Sequence, residues 1–106
     1  MKNLNEIEAV EGPEGIFRRT LEYTDDAMVC HFTMKKGARV PLHNHPASQM
    51  GYIISGKVRF MLENKNGFTA VPGSSYAFDS FEYHGAEVLE DSELIECFSP
   101  KRDEYI

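Results

Sequence analysis

No stretch of this chain approaches the ~20 consecutive apolar residues that a membrane span requires. The opening Met1-Lys2-Asn3-Leu4-Asn5-Glu6-Ile7-Glu8 has none of the apolar core of a secretory signal. A cytoplasmic location, with no membrane partner, is the expectation. A basic stripe is missing as well: 11 Lys and Arg stand against 17 Asp and Glu, for a net charge of -6. The basic residues are scattered as Arg18-Arg19, Lys35-Lys36 and Lys101-Arg102, which reads as solvated surface and argues against a nucleic-acid partner. Cysteine is scarce. Cys30 and Cys97 each sit in an alternating apolar segment, where a free thiol behaves as a small buried hydrophobe, so neither is read as ligand or nucleophile and no disulfide is expected.

Low-complexity tracts, internal repeats and linkers are absent too, and helical periodicity fades after the first dozen residues. With 106 residues, 42% of them hydrophobic and 26% charged, the chain suits one compact domain. Residues 1–14 read as an irregular arm that packs against a second subunit, and 15–106 as the domain proper, with a homodimer as the expected assembly.

Within 15–106, short runs rich in β-branched and aromatic residues alternate with turn signals. Strands are predicted over 16–23, 27–34, 40–45, 49–54, 57–62, 68–71, 74–78, 84–89 and 94–98. Nine short strands indicate an all-β sandwich or barrel. Ser55-Gly56 and Asp91-Ser92 read as turns, the first closing a tight hairpin. Met28, Phe32, Met34, Phe60, Tyr76 and Phe78 could line a ligand pocket, but such residues on strands more often form core and are read so; His31, away from the other histidines, reads as structural.

The chemistry concentrates in Pro41-Leu42-His43-Asn44-His45-Pro46-Ala47-Ser48-Gln49. On a strand, residues two apart share a face with alpha carbons ~6.6 Å apart, so the imidazoles of His43 and His45 can converge on one ion. By itself a His-x-His pair is a weak signal.

Its setting resembles the first motif of the cupins: Gly37, five residues, His43-x-His45, three residues, Gln49, six residues, Gly56. A second motif follows as Gly73, five residues, Asp79-x-Phe81 where the family usually has Pro-x-Gly, two residues, and His84, ending on Val88 in place of the usual Asn. The resemblance implies a double-stranded β-helix, the jelly-roll barrel of cupins, with His43, His45, Gln49 and His84 on the four metal-ligand positions. One divalent transition metal is then expected; zinc, nickel, iron, manganese and copper all suit imidazole. Gln49 stands where cupins usually have Glu. An amide adds no negative charge, so the ion keeps its formal charge of about +2 and draws an anionic ligand to its open positions. Alternatively, Gln49 hydrogen-bonds a metal-bound water.

In Leu94-Ile95-Glu96-Cys97-Phe98-Ser99, alternation puts Leu94, Glu96 and Phe98 on one face. Glu96 therefore lies either at a wet rim or inside a pocket with a use for its charge. The run from Glu96 to Tyr105, together with His-x-His-Pro-x-x-Gln-x-Gly-Tyr from His43 to Tyr52, is similar to the KdgF-like cupins of pectin and alginate breakdown. That resemblance implies conversion of a cyclic 4,5-unsaturated uronate to the linear 4-deoxy-5-keto uronate without redox change, served by an acid, a phenylalanine and an arginine that fall on Glu96, Phe98 and Arg102. A small acidic sugar is then the expected partner. Two other readings suit the same fold: an oxygen-dependent cupin dioxygenase, and a non-catalytic module that binds a sugar or a metal.

Overall fold

The structure, a computed structural model, describes residues 1–106. It contains eight strands: β1 (Val10–Glu11), β2 (Ile16–Tyr23), β3 (Met28–Met34), β4 (Arg39–His43), β5 (Ser48–Leu62), β6 (Lys65–Ala70), β7 (Ser75–Phe78) and β8 (His84–Ser99), with a short 3-10 turn near each end of the chain. The arm at 1–14 is not wholly irregular, because β1 pairs with β2.

Two long antiparallel strands, β5 and β8, pair along almost their whole length, from Ser48 opposite Ser99 to Leu62 opposite His84. Every other pairing hangs on one half of this ribbon or the other. The half with the start of β5 and the end of β8 carries β7 on one side and β3, β2 and β1 on the other. The remaining half carries β6 against β5 and β4 against β8. The ribbon thus belongs to two sheets that face each other, which is the expected jelly-roll barrel.

Two predicted turns proved to be bends inside long strands. Instead of closing a hairpin, Ser55-Gly56 forms an irregularity in β5, where the register against β8 shifts. The buried residues of β5 are Gln49 and Ile53 before it and Val58 and Phe60 after it, so the inward positions change from odd to even. One extra residue in a strand does this, since the side-chain period is two. Gly56 has φ +92°, and a Cβ there would overlap Ser92 Oγ and the Asp91 carbonyl of β8. Ser92 completes the joint by accepting from the Lys57 N–H (3.0 Å) and donating to the Glu90 carbonyl (2.7 Å). A positive-φ glycine between apolar runs serves a bulge as well as a hairpin, so local sequence did not separate the two.

Ile53, Val58, Val88, Leu94 and Phe98 are fully buried between the sheets, each worth roughly 1.5–3 kcal/mol of apolar burial. All six residues predicted as core are buried. Cys30 is buried as expected, whereas Cys97 is exposed, and both are free. Cys97 lies opposite Val29, one residue from Cys30, on neighbouring strands. The two thiols therefore point to opposite faces of one sheet.

Gly56→Val should lower the unfolding free energy by about 2 kcal/mol or more, from combined φ strain and overlap with β8. Gly73→Val is the control, because Gly73 has the same φ of +92° but open space around it. It should lose clearly less in urea denaturation; equal losses would mean that strain alone explains Gly56.

Candidate metal centre

The end of the barrel where β4 stops and β5 and β8 begin gathers the motif residues. His43, the last residue of β4, pairs across strands with His84, the first of β8. His45 lies beyond the end of β4, so it reaches its neighbours from a loop and not from the strand face that its spacing predicts. Pro46 ends the chance of a continued strand there. That loop is tied to the segment before His84: the Phe81 N–H donates to the His45 carbonyl (2.8 Å), and Asn44 Nδ2 to the Phe81 carbonyl (3.0 Å). Phe81 itself has φ 64°, holding the left-handed conformation that a glycine adopts without strain.

The ligand atoms of His43, His45 and His84 all lie within 4.8 Å of one another. Each ring is oriented by its own Nδ1–H, which donates to a main-chain carbonyl: His43 to Pro41 (2.9 Å), His45 to Ala47 (2.7 Å) and His84 to Glu82 (2.9 Å). Because a carbonyl only accepts, Nδ1 must carry the proton, and in the neutral rings Nε2 carries the lone pair. Phe78 lies flat on His84 at 4.3 Å between centroids, 5° from parallel, and fixes its plane.

The fourth residue is Gln49. Its Oε1 lies 3.1 Å from His45 Nε2 and 3.2 Å from His84 Nε2. Its Nε2 donates to Glu96 Oε2 at 2.6 Å, which sets the amide orientation and turns the oxygen towards the imidazoles. Lone pairs from the rings and from Gln49 therefore converge with no proton among them. Such a set of acceptors is complementary to a cation, and neutral imidazole is the form that binds metal. Burial holds His84 down at about 4, helped by the neighbouring His43 and His45. Burial also lowers His45, with the Arg102 charge adding to the effect. These residues fit a divalent metal.

Beyond them a cavity of about 70 Å³ is lined by His43, Gln49, His84, Glu96, Phe98 and Arg102. Every predicted site residue except His45 meets there. Glu96 is buried, and burial raises its carboxyl above the usual range, against the opposing pull of hydrogen bonds from Tyr76 and Gln49 and of the Arg102 charge. Both hydrogen bonds go to Oε2; the Tyr76 hydroxyl donates at 2.6 Å. Of the alternatives left open for Glu96, the interior pocket is the one observed. Arg102 lies over the rings of Phe98 and Tyr105, at 5.2 and 4.2 Å from their centroids, and donates to the Tyr105 hydroxyl (3.0 Å). Its Nε is buried and lies 3.4 Å from Glu104 Oε1, an ion pair without hydrogen-bond geometry.

Sequence reading missed three contributors. Tyr76, taken as core, holds Glu96. Tyr105 packs against two guanidiniums, Arg18 at 4.0 Å and Arg102 at 4.2 Å from its ring centroid. Arg18, expected as solvated surface, has a buried Nε without a partner. Its position two residues after the buried Ile16, on the inner face of β2, was the available signal. His31 lies apart, in contact with Glu93 (2.7 Å).

This barrel, with histidines clustered at one end, is the architecture of a cupin, and the cupin-domain profile matches residues 30–96. The chain belongs to the cupin family. It is a homologue of the pectin degradation protein KdgF of Dickeya dadantii, 32% identical over 95 residues that span 88% of this chain and 86% of the relative. The structure of KdgF from Halomonas sp. has a TM-score of 0.90 at 30% identity, covering 98% of this chain and 97% of that one. An RmlC-like cupin from Shewanella frigidimarina has a TM-score of 0.93 at 24% identity, covering 100% and 95%, and shares the fold.

The depressed His84 predicts a pH effect in metal-free protein. Above about pH 6.5 the ring is neutral in folded and unfolded chains and adds nothing. Below it the unfolded chain takes up a proton that the folded chain refuses until about pH 4, so stability falls by up to ~1.4 kcal/mol per pH unit. Glu96, raised by burial, acts in the opposite sense, and a His84→Gln comparison isolates the histidine. With chelator present, wild type should lose roughly 2 kcal/mol more than His84→Gln between pH 7 and pH 5. Equal losses in urea unfolding would show that the buried ring protonates freely.

Proposed function

We propose that this protein converts a cyclic 4,5-unsaturated uronate into the linear 4-deoxy-5-keto uronate, a step in pectin or alginate breakdown without redox change. The observation that carries the proposal is the single cavity joining the histidine cluster to Glu96, Phe98 and Arg102. The similarity to pectin degradation protein KdgF supports the substrate class.

His43, His45 and His84 would hold the metal, with Gln49 as a fourth ligand. When bound, a divalent ion supplies positive charge that stabilises negative charge developing on a substrate oxygen. Because the ligands are neutral, that charge is not cancelled, which favours an anionic substrate. Arg102, which lines the cavity, would bind the substrate carboxylate through its guanidinium. Phe98 packs beside it as an apolar wall.

Glu96 moves the proton. As the ring bond between C1 and the ring oxygen breaks, its carboxylate takes the proton of the anomeric hydroxyl, leaving an aldehyde at C1 and an enolate at C5. The same proton returns to C4, giving the 5-ketone, so the reaction is an isomerisation with atoms and charge balanced. Oε2 is occupied by two donors while Oε1 makes no hydrogen bond, which leaves one oxygen for this transfer.

The test is incubation of metal-loaded protein with unsaturated galacturonate and guluronate monomers, followed by NMR decay of the unsaturated-ring signals. Acceleration over the spontaneous reaction is expected, and no acceleration with metal confirmed bound would sink the proposal. Oxygen uptake with a redox metal would point to the dioxygenase, and binding without turnover to the non-catalytic module. Glu96→Gln should lower kcat by about 10²-fold or more. Arg102→Met should raise KM by about 10-fold or more, the loss of a charged hydrogen bond to the carboxylate. A fully active Glu96→Gln would remove Glu96 from the proton transfer.

A further inference from the structure

Inward-facing residues of β7, β5 and β8 form rows across the sheet. Phe78, Gln49 and Phe98 make one row, and Tyr76, Gly51 and Glu96 make the next. Neighbouring strands lie ~4.8 Å apart, so the backbones of β7 and β8 are separated by ~10 Å with β5 between them. A phenol and a carboxylate can meet across that span only if the middle strand raises no side chain between them. Residue 51 is a glycine, and a Cβ there would overlap the Tyr76 ring. The phenol therefore lies over Gly51 and donates to Glu96 Oε2 at 2.6 Å, the oxygen that also accepts from Gln49 Nε2 at 2.6 Å.

A terminal amide torsion is broad and roughly two-fold, so nothing intrinsic to glutamine decides which end faces the histidines. In the absence of a cation the imidazole lone pairs would favour the other end, since an N–H can donate to Nε2 and an oxygen cannot. Turning the amide would place its oxygen against the Glu96 carboxylate. That penalty acts only while Glu96 stays in place.

We propose that Tyr76 is a positioning residue for the metal centre: it locks Glu96, Glu96 locks the Gln49 amide with its oxygen towards the histidines, and Gly51 is the slot that lets the phenol reach. The ring of Tyr76 is well anchored, with Phe60 at 4.4 Å and Phe78 at 5.6 Å between centroids. Tyr76, held in this aromatic cluster, thereby sets the orientation of a ligand with which it makes no hydrogen bond of its own. The inference rests on the metal-holding reading of the histidines and is independent of the uronate reaction.

The test uses cobalt(II) as the probe, titrated into metal-free full-length protein, with the visible absorption band reporting ligand geometry. Tyr76→Phe keeps the ring and loses only the hydroxyl. It should melt as a folded barrel, bind cobalt about tenfold more weakly and shift the band. Gly51→Ala should produce the same loss by displacing the ring, and Glu96→Ala, which leaves the aromatic cluster intact, should do so even where Gly51→Ala is too strained to fold. Tyr52→Phe, on the exposed outer face of β5, should match wild type. A folded Tyr76→Phe with unchanged cobalt affinity and band overturns the inference, as does a wild-type protein that binds no cobalt. A wild type that binds cobalt, with a shifted Tyr76→Phe but no uronate turnover, supports the inference while removing the proposed reaction.

Discussion

One amide is gripped by its N–H end, and that grip turns its oxygen towards the histidines. Gln49 offers its N–H to a carboxyl that only accepts well and its oxygen to imidazoles whose Nε2 atoms carry no proton. This arrangement depends on the pairing of β5 with both β7 and β8 at its first residues, which brings Phe78, Gln49 and Phe98 into line. A slip of one residue would point Gln49 outwards and bring in its neighbours Ser48 or Met50, neither of which can make the bridge. The register that buries the core is thus the register that builds the site.

The electrostatics of the pocket follow from keeping the acid one layer away. A carboxylate among the histidines would cancel part of a cation's charge; an amide does not, and the carboxyl stands behind it. Burying Glu96 is costly, and two hydrogen-bond donors with the nearby Arg102 charge offset that cost. The tail supplies Arg102 and Tyr105, and Tyr105 is fastened through its carbonyl to Thr20 and through its ring to Arg18. Segments remote in sequence therefore close one side of the cavity.

The barrel class, the boundaries of β2 and most of the core were legible because alternation is a local property that survives in any register. Ser55-Gly56 and Asp91-Ser92 were not. Both carry turn chemistry, and whether such residues end a strand or bend it depends on a partner strand that local sequence does not name. Arg18 was misjudged, and the hydrogen bond that the core residue Tyr76 makes was missed, for a related reason. Composition assigns arginine to the surface and tyrosine to the core, whereas their partners here are the ring of Tyr105 and a carboxyl two strands away.

His43, His45, Gln49 and His84 were legible as a metal centre through the likeness of their spacing to the cupin motifs, since the His-x-His pair by itself is a weak signal. Glu96, Phe98 and Arg102 were drawn to that site by family likeness alone. Only the tertiary structure decided that they line the same cavity, which oxygen of Glu96 is engaged, and which way the Gln49 amide points. Those are relations between strands far apart in the chain, and hydrogen-bond direction is settled by the partner across the gap and not by the residue that spans it.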